Sequence, residues 1–379
     1  MEAQLSKDDD AASTAIATSS FVPFGTLSIS SPVAGFITSK KSSLHVPVFG
    51  GEGKTPETAI QIEDPSKSRV FYGQLASGDI RYYSFKIEKG ERIVLGLIIP
   101  VEQSGQVFTP NLILMGPGLK NEGKNSEKLE VPKGYGAKVL SYSLPDSPVY
   151  EGFTPGVFYS VSHLDIKAPE SGIYYAVVSM IPEVSISDGE STIPEKYMQE
   201  KEIQKEGNYG LILGYKETFT LKEWISVPLS QMKIYLWEGQ SLLLAFSPLL
   251  LTLIVGFLVI FFKRETVSGF CPENFSGILA GLFFLGTGVT YIFQMLISLS
   301  KSSYSYGIIV TLFLILISIG LGVAAIVLSF KEISYIQSIS RKKFYYFILG
   351  IIGLLFWAGW FMGSFFAFET VILLKSHNG

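Results

Sequence analysis

Four apolar runs close the chain, at about Leu242–Phe262, Phe275–Leu299, Ile308–Phe330 and Phe344–Phe368. Each is long enough to cross the hydrocarbon core of a bilayer as a helix, which takes about 20 apolar residues. This constrains the chain more than any other feature, because one domain's core cannot hide four such runs. Residues 241–374 are therefore expected to form four transmembrane helices, with the lipid bilayer as first partner. The connections are short, so neighbouring helices are expected to be antiparallel in a compact four-helix bundle. Small residues recur four apart: Gly277 and Gly281, Ser318 and Gly322, Gly359 and Gly363. They are expected to line helix–helix contacts, since packing rather than the hydrophobic effect drives association in lipid. Pro248 predicts a kink or a frayed first turn in the first span.

The runs hold no Lys, Arg or His; the three histidines are His45, His163 and His377. A bis-histidyl haem between the spans is thereby excluded. Glu369 follows directly on the fourth run. It is expected at the far interface, the other reading being a functional buried acid. Gln294, Thr287 and Thr290 read as interhelical hydrogen-bond partners. Lys263 and Arg264 follow the first run, and Lys331, Arg341, Lys342 and Lys343 lie between the third and fourth. The positive-inside rule then places loops 263–274 and 331–343 in the cytoplasm. The N-terminal domain and the C-terminus are expected outside, in a multi-pass cell-membrane protein. Cys271, the one cysteine, falls in the first of those loops, so no intrachain disulfide or cysteine metal cluster forms.

Residues 219–240, FTLKEWISVPLSQMKIYLWEGQ, join the two halves. Thr220 and Glu223 have the spacing of a capping box. Trp224, Ile225, Pro228, Leu229, Met232 and Leu236 recur at helical spacing, with polar residues between them. Pro228 is expected to kink this helix or divide it. Trp224 and Trp237 suit the headgroup layer, where an apolar ring with one polar handle is favoured. The stretch is expected to be an amphipathic interfacial helix anchored by those two rings. The last helix of the soluble domain is the other reading.

Before it the chain is β-rich. Residues 1–40 are rich in Ser, Ala, Thr and Gly and read as a weakly ordered tail, with one short strand between Phe21 and Ile29. They show no basic n-region and no long apolar h-region, so no secretory signal is visible. Residues 41–218 carry short runs bounded by Gly and Pro: 69–73, 81–87, 93–99, 111–115, 172–178 and 207–213. Tyr, Val, Ile and Phe dominate them, as suits a pleated, half-buried surface. The expected fold is an antiparallel β-sandwich. Residues 116–160 read as a long decorated loop, with a hairpin inside it as the other reading. Tyr83, Phe85, Tyr175 and Val177 fall at alternating positions and are expected to face one core. Glu63, Asp64, Asp79 and Asp188-Gly189-Glu190 do not match a calcium loop and read as solvated turn carboxylates.

Gly78-Asp79-Ile80-Arg81-Tyr82-Tyr83-Ser84-Phe85, Lys89-Gly90-Glu91-Arg92-Ile93, Pro169-Glu170-Ser171-Gly172-Ile173-Tyr174-Tyr175 and Tyr209-Gly210-Leu211-Ile212-Leu213 follow in order. Over about residues 60–215 this resembles the bacterial pre-peptidase C-terminal domain, a jelly-roll-like β-sandwich appended to secreted enzymes and surface proteins. The resemblance implies an accessory, binding-type domain without catalytic residues. The long loop region and the lack of a protease domain depart from that family's usual context.

A net charge of −3 gives no basic footprint for nucleic acid. There is no G-x-S-x-G, no H-E-x-x-H and no phosphate-binding glycine loop. His163-Leu164-Asp165 is a lone histidine in a strand context. The expectation is therefore a non-enzymatic protein without cofactor, displaying a β-sandwich for binding, sensing or scaffolding, with surface ligands or other membrane subunits as further partners. The alternative is an accessory subunit of a transporter or membrane enzyme complex.

Overall fold

The computed structural model describes residues 28–29, 45–101, 108–123, 129–140, 142–180, 206–263, 271–331 and 339–374. The expected tail, except for the backbone of 28–29, lies outside the described residues, as do Asp188–Glu190 and His377. Among the described residues thirteen strands precede the helices: β1 (Ser28–Ile29), β2 (Val46–Phe49), β3 (Ile60–Ile62), β4 (Arg69–Ala76), β5 (Ile80–Ile87), β6 (Arg92–Pro100), β7 (Asn111–Pro117), β8 (Tyr135–Leu140), β9 (Val149–Glu151), β10 (Gly156–Lys167), β11 (Gly172–Ser179), β12 (Glu206–Leu213) and β13 (Phe219–Thr220). One sheet has the order β2-β4-β12-β6-β10-β9, a second β3-β5-β11-β7-β8, and β1 pairs with β13. The six runs named from the sequence are all strands. The pairing is not wholly antiparallel: β2 runs parallel to β4, and β3 to β5.

The two large sheets share one core. Phe71, Leu95, Leu97, Tyr209 and Leu211 come from the first, and Tyr83, Phe85, Leu112, Leu114 and Tyr174 from the second. Burying side chains of this size contributes about 1.5–3 kcal/mol each relative to exposure. Across the core the hydroxyls of Tyr83 and Tyr209 lie 2.7 Å apart in a hydrogen bond, and burial pushes both phenols up from their ordinary value.

One expectation needs correction here. On β11 it is Tyr174, Ala176 and Val178 that face this core, opposite Phe85, Tyr83 and Arg81. Tyr175 and Val177 turn to the other face, where Leu129 and Val131 cover Tyr82, Ile113 and Met115. Both faces of β11 are therefore apolar, and alternation carries no parity when a sheet is covered on both sides. The 116–160 stretch supplies β8, β9 and the start of β10, and β9 and β10 form a hairpin within it.

The helical half begins with α1 (Leu221–Trp237), α2 (Leu242–Lys263), α3 (Pro272–Leu299) and α4 (Gly307–Phe330). The capping box of α1 is complete: the Glu223 N–H donates to the Thr220 hydroxyl and the Thr220 N–H to the Glu223 carboxylate. Neither Pro228 nor Pro248 breaks its helix. Each frees the carbonyl four residues earlier, and each freed carbonyl finds a donor. Trp224 O accepts the Trp357 indole N–H at 3.0 Å, and Leu244 O accepts the Ser247 hydroxyl at 2.9 Å.

Three helices, α2, α3 and α4, are long and apolar enough to cross a membrane. The fourth run is not a single span. It forms α5 (Ile339–Leu355) and α6 (Met362–Leu373), joined by a tight turn with Trp357, Gly359, Trp360 and Phe361 in the left-handed region. Gly353 meets Ser364, and Gly350 meets Phe368, so the two arms run antiparallel. The expected four-helix bundle is thus three long helices and a helical hairpin. α3 lies at its centre, against α2, α4 and α6.

Candidate functional site

The described chemistry gathers where the β-domain meets the helices. The β9–β10 hairpin descends onto the bundle. Tyr150 and Thr311 share a hydrogen bond of 2.7 Å, and the Thr311 hydroxyl sits 2.7 Å from Gly152 O. Gly152 and Gly307 touch backbone to backbone, and a Cβ on Gly152 would lie 2.3 Å from Gly307 O. Phe153 at the hairpin tip packs with Trp224, Tyr291, Val310 and Trp357. Its carbonyl accepts from Gln231, which also bonds the Tyr291 hydroxyl.

α1 lies between the domain and the bundle. The Trp237 indole N–H donates to Tyr209 O, and Asn208 donates to Trp237 O. Lys67 holds Glu223 at 2.8 and 2.6 Å. Burial pushes the Glu223 carboxyl up, but the bonds from Lys67 and Thr220 outweigh it and hold the group below its ordinary value. Trp224 and Trp237 are only 4% and 7% exposed. The sequence reading had put these rings among headgroups; they pack on Trp357 and on Tyr72 instead. The same amphipathic pattern fits either solvent, and here protein fills the tryptophan face.

A cleft of about 60 Å³ opens beside α1, lined by residues that include His45, Tyr72, Glu151, Phe158, Trp237 and Glu238. Glu151 accepts from the Phe153 N–H, and Glu238 from the Val157 N–H. Burial pushes the Glu151 carboxyl up to about 7, and Glu217 adds to the rise. Burial lowers His45 to about 4, so its imidazole is neutral at physiological pH. Among the described residues no group of three or more His, Cys, Asp or Glu is placed to hold a metal ion. The cleft can hold or release a proton on Glu151.

The small residues are at contacts, though not all as expected. Gly281 and Gly322 bring α3 and α4 together, each Cβ position 2.9 Å from the other's carbonyl oxygen. Gly277 makes room for the Tyr346 and Ser329 hydroxyls, and Ser318 packs near Gly288. Gly359 and Gly363, with Gly353, form a cradle for the buried ring of Phe284. They shape the hairpin rather than one face of a straight span.

Glu369 accepts from the Ser276 hydroxyl at 2.7 Å, near the start of α3. Lys342 reaches Asn274 at the same end. α6 therefore ends beside the start of α3, remote from the β-domain. The fourth run doubles back, so the described chain stops at Leu374 on that side, and the C-terminal residues 375–379, expected outside, lie outside the described residues. Cys271 is exposed at that end. His163 is an exposed strand residue. Asp64 bonds Ser66 and Asp79 pairs with Arg81, both as turn carboxylates. No sequence reading points to the cleft or to the bond from Trp357 to Trp224 O, whose one visible signal is Trp357 in mid-run.

No protein-family model matches the chain, and no curated protein does. Among solved structures the chain is similar to PliG of Salmonella Typhimurium, a periplasmic lysozyme inhibitor of g-type lysozyme, at 16% identity over 42% of this chain and 100% of that one, TM-score 0.21. It is similar to PliG of Aeromonas hydrophila at 10% identity over 45% and 99%, TM-score 0.22. It is similar also to the pre-peptidase C-terminal domain of a Bacillus anthracis collagenase, at 14% identity over 43% and 97%, TM-score 0.20.

Proposed function

We propose that the protein is a multi-pass membrane protein whose β-domain is held at the outer face of the cell membrane for a non-catalytic binding or scaffolding role. One observation carries this reading: the domain is fixed to the bundle rather than tethered to it. The β9–β10 hairpin, the Lys67–Glu223 pair and the Trp237 bonds all join it to the helical half. A domain fixed this way presents its far loops in a constant direction, which suits recognition at a surface. α1 is the interfacial collar, lying across the end of the bundle between the domain and the hairpin turn. The outward faces of α2 and α4 carry large side chains such as Leu251, Phe262, Leu312 and Leu316. Such faces suit lipid better than the small, polar stripe a partner subunit would use.

Thiol labelling in intact cells tests the orientation. A membrane-impermeant maleimide is expected to leave Cys271 unlabelled until the cells are permeabilised. In a Cys271→Ser background, Lys86→Cys on the β-domain is expected to label at once, and Ser376→Cys only after permeabilisation. Labelling of Cys271 from outside with Lys86→Cys protected would turn the protein over and end the surface-display reading. A pulldown of the full chain in mild detergent then tests for binding partners.

A further inference from the structure

We infer that the outward face of α1 is a docking surface for anionic phospholipid headgroups of the bilayer that the long helices cross; this rests on reading α2, α3 and α4 as membrane spans. The face is apolar and unused by the protein. Leu221, Ile225, Leu229 and Leu236 are 55%, 50%, 66% and 38% exposed. At 3.6 residues per turn they fall within an arc of about 80°. Lys222 and Lys233 are exposed and border that arc on one side only.

The order of neighbours around α1 gives the argument its direction. Met232 projects about 20° inside the Leu221 side of the arc, and there it is buried against Ala245, Phe246 and Trp360, so the start of α2 and the hairpin turn take up that side of α1. On the other edge come the two lysines, and then Trp237, which packs on Val70 and Ile98 of the β-domain. Going round the helix, the sequence is bundle, leucines, lysines, β-domain. This is the gradient from hydrocarbon to water, with the ammonium groups at the level where lipid phosphates lie. Lys233 lies over the Phe49 ring of β2, 5.1 Å from its centroid, which fixes that side of the arc against the β-domain.

The surface continues onto elements at the same end of the bundle. α2 opens with exposed Leu242, Leu243 and Leu244. The α3–α4 connection, beside the Gly152–Gly307 contact, presents exposed Tyr304 and Tyr306, residues favoured in the headgroup belt. An apolar arc bordered by lysines is complementary to an anionic headgroup layer in both shape and charge.

The test uses the full chain in a Cys271→Ser background, reconstituted in phosphatidylcholine vesicles with or without phosphatidylglycerol. Single cysteines at Leu229, at Leu251 on the outward face of α2, and at Lys86 carry a nitrobenzoxadiazole fluorophore. Lipids spin-labelled at the headgroup or deep in the acyl chain act as quenchers. The Leu229 label is expected to be blue-shifted and quenched mainly by the shallow spin label, the Leu251 label by the deep one, and the Lys86 label by neither. Spin-labelled phosphatidylglycerol is expected to quench at Leu229 twofold or more over spin-labelled phosphatidylcholine. Lys222→Glu with Lys233→Glu is expected to erase that preference while leaving Leu251 quenching unchanged. A silent Leu251 label would overturn the reading of the spans themselves. A quenched Leu251 label beside a Leu229 label that behaves like Lys86 would overturn the docking surface alone. Equal quenching by the two headgroups at Leu229 would overturn its anionic character.

Discussion

α4 and the fourth apolar run look alike as sequence and fold differently. Both are mostly apolar over more than 20 residues, with small residues four apart and no charge before their ends. α4 is one continuous helix, whereas residues 344–368 turn back on themselves at Phe356–Phe361. Two things separate them. The fourth run carries Trp357 and Trp360 in its middle, and indoles seek polar partners that the centre of a bilayer does not offer. Its glycines also face a bulky ring: Gly353, Gly359 and Gly363 close around Phe284. In α4, Gly322 faces a backbone, and the helix passes straight on. Hydropathy reports how apolar a run is; the side chain that fills its glycines decides whether it crosses.

If Phe284 shapes the hairpin, removing it should be the most damaging single change in the helical half. Phe284→Ala empties the cradle and is expected to cost about 3–5 kcal/mol. Phe262→Ala, on the outward face of α2, is expected to cost well under 1 kcal/mol. Thermal unfolding of both variants in the same detergent checks this. Equal losses would mean that the hairpin stands without Phe284.

The hairpin turn is also held from above. Pro228 cannot bond Trp224 O, and the Trp357 indole N–H takes that place. Trp357→Phe should leave a buried carbonyl unpaired, at a cost of about 1–3 kcal/mol. In a Pro228→Ala background the helix supplies its own N–H, so the same substitution should cost less. A double-mutant cycle in thermal unfolding measures the coupling, and additive losses would sink the idea that the proline created the need for the tryptophan.

These two contacts show what was legible. The six strong strands, the capping box and the three long apolar helices could be read because each rests on local pattern: alternation, cap spacing and hydropathy. The parity of β11 could not, because both of its faces are covered. The hairpin could not, because its cause is Phe284, some 70 residues earlier in the chain. The placement of Trp224 and Trp237 was ambiguous because a buried protein face and a lipid interface ask for the same amphipathic helix. The cleft was invisible since His45, Glu151 and Glu238 meet only through the fold, at spacings that match no motif.

The β-domain rests on both kinds of element, on α4 through Tyr150 and Gly152 and on the hairpin through Trp224. Proton uptake can show how tightly. Glu151 titrates near 7 in the folded protein against about 4.5 unfolded. A raised carboxyl value gives stability that is complete below the unfolded value and is lost as pH climbs to 7 and above. His45, lowered to about 4, works the other way, so its contribution is lost as pH falls from about 6.5. The facing groups are Tyr72, Glu238 and Glu217. Between pH 6 and 8 the Glu151 effect should dominate, at an order of about 1 kcal/mol after allowing for the cleft's partial exposure to water. Hydrogen-exchange protection of residues 149–157, after division by the intrinsic base-catalysed rate, should fall across that range in the native chain and stay flat in Glu151→Gln. A native profile as flat as the variant's would place Glu151 in contact with water.

The smallest expected effect is the sharpest on helix passage. Gly320 and Gly322 stand two apart on α4 and look equivalent in sequence. A Cβ on Gly320 meets nothing within 4 Å, whereas on Gly322 it would lie 2.5 Å from Leu285 and 2.9 Å from Gly281 O. The Leu285 end can swing aside; the Gly281 backbone cannot move without parting α3 from α4. Alanine in a helix interior is favoured over glycine by about 0.5–1 kcal/mol through the unfolded chain's entropy. Gly320→Ala should therefore be neutral or stabilising by up to that amount. Gly322→Ala gains the same propensity but pays for the forced separation, so its net loss should be about 1–2 kcal/mol. Melting curves of the two variants in one detergent should move in opposite directions. If both rise, α3 and α4 are farther apart than the glycine contact requires, and small residues in α4 would mark lipid exposure rather than helix packing.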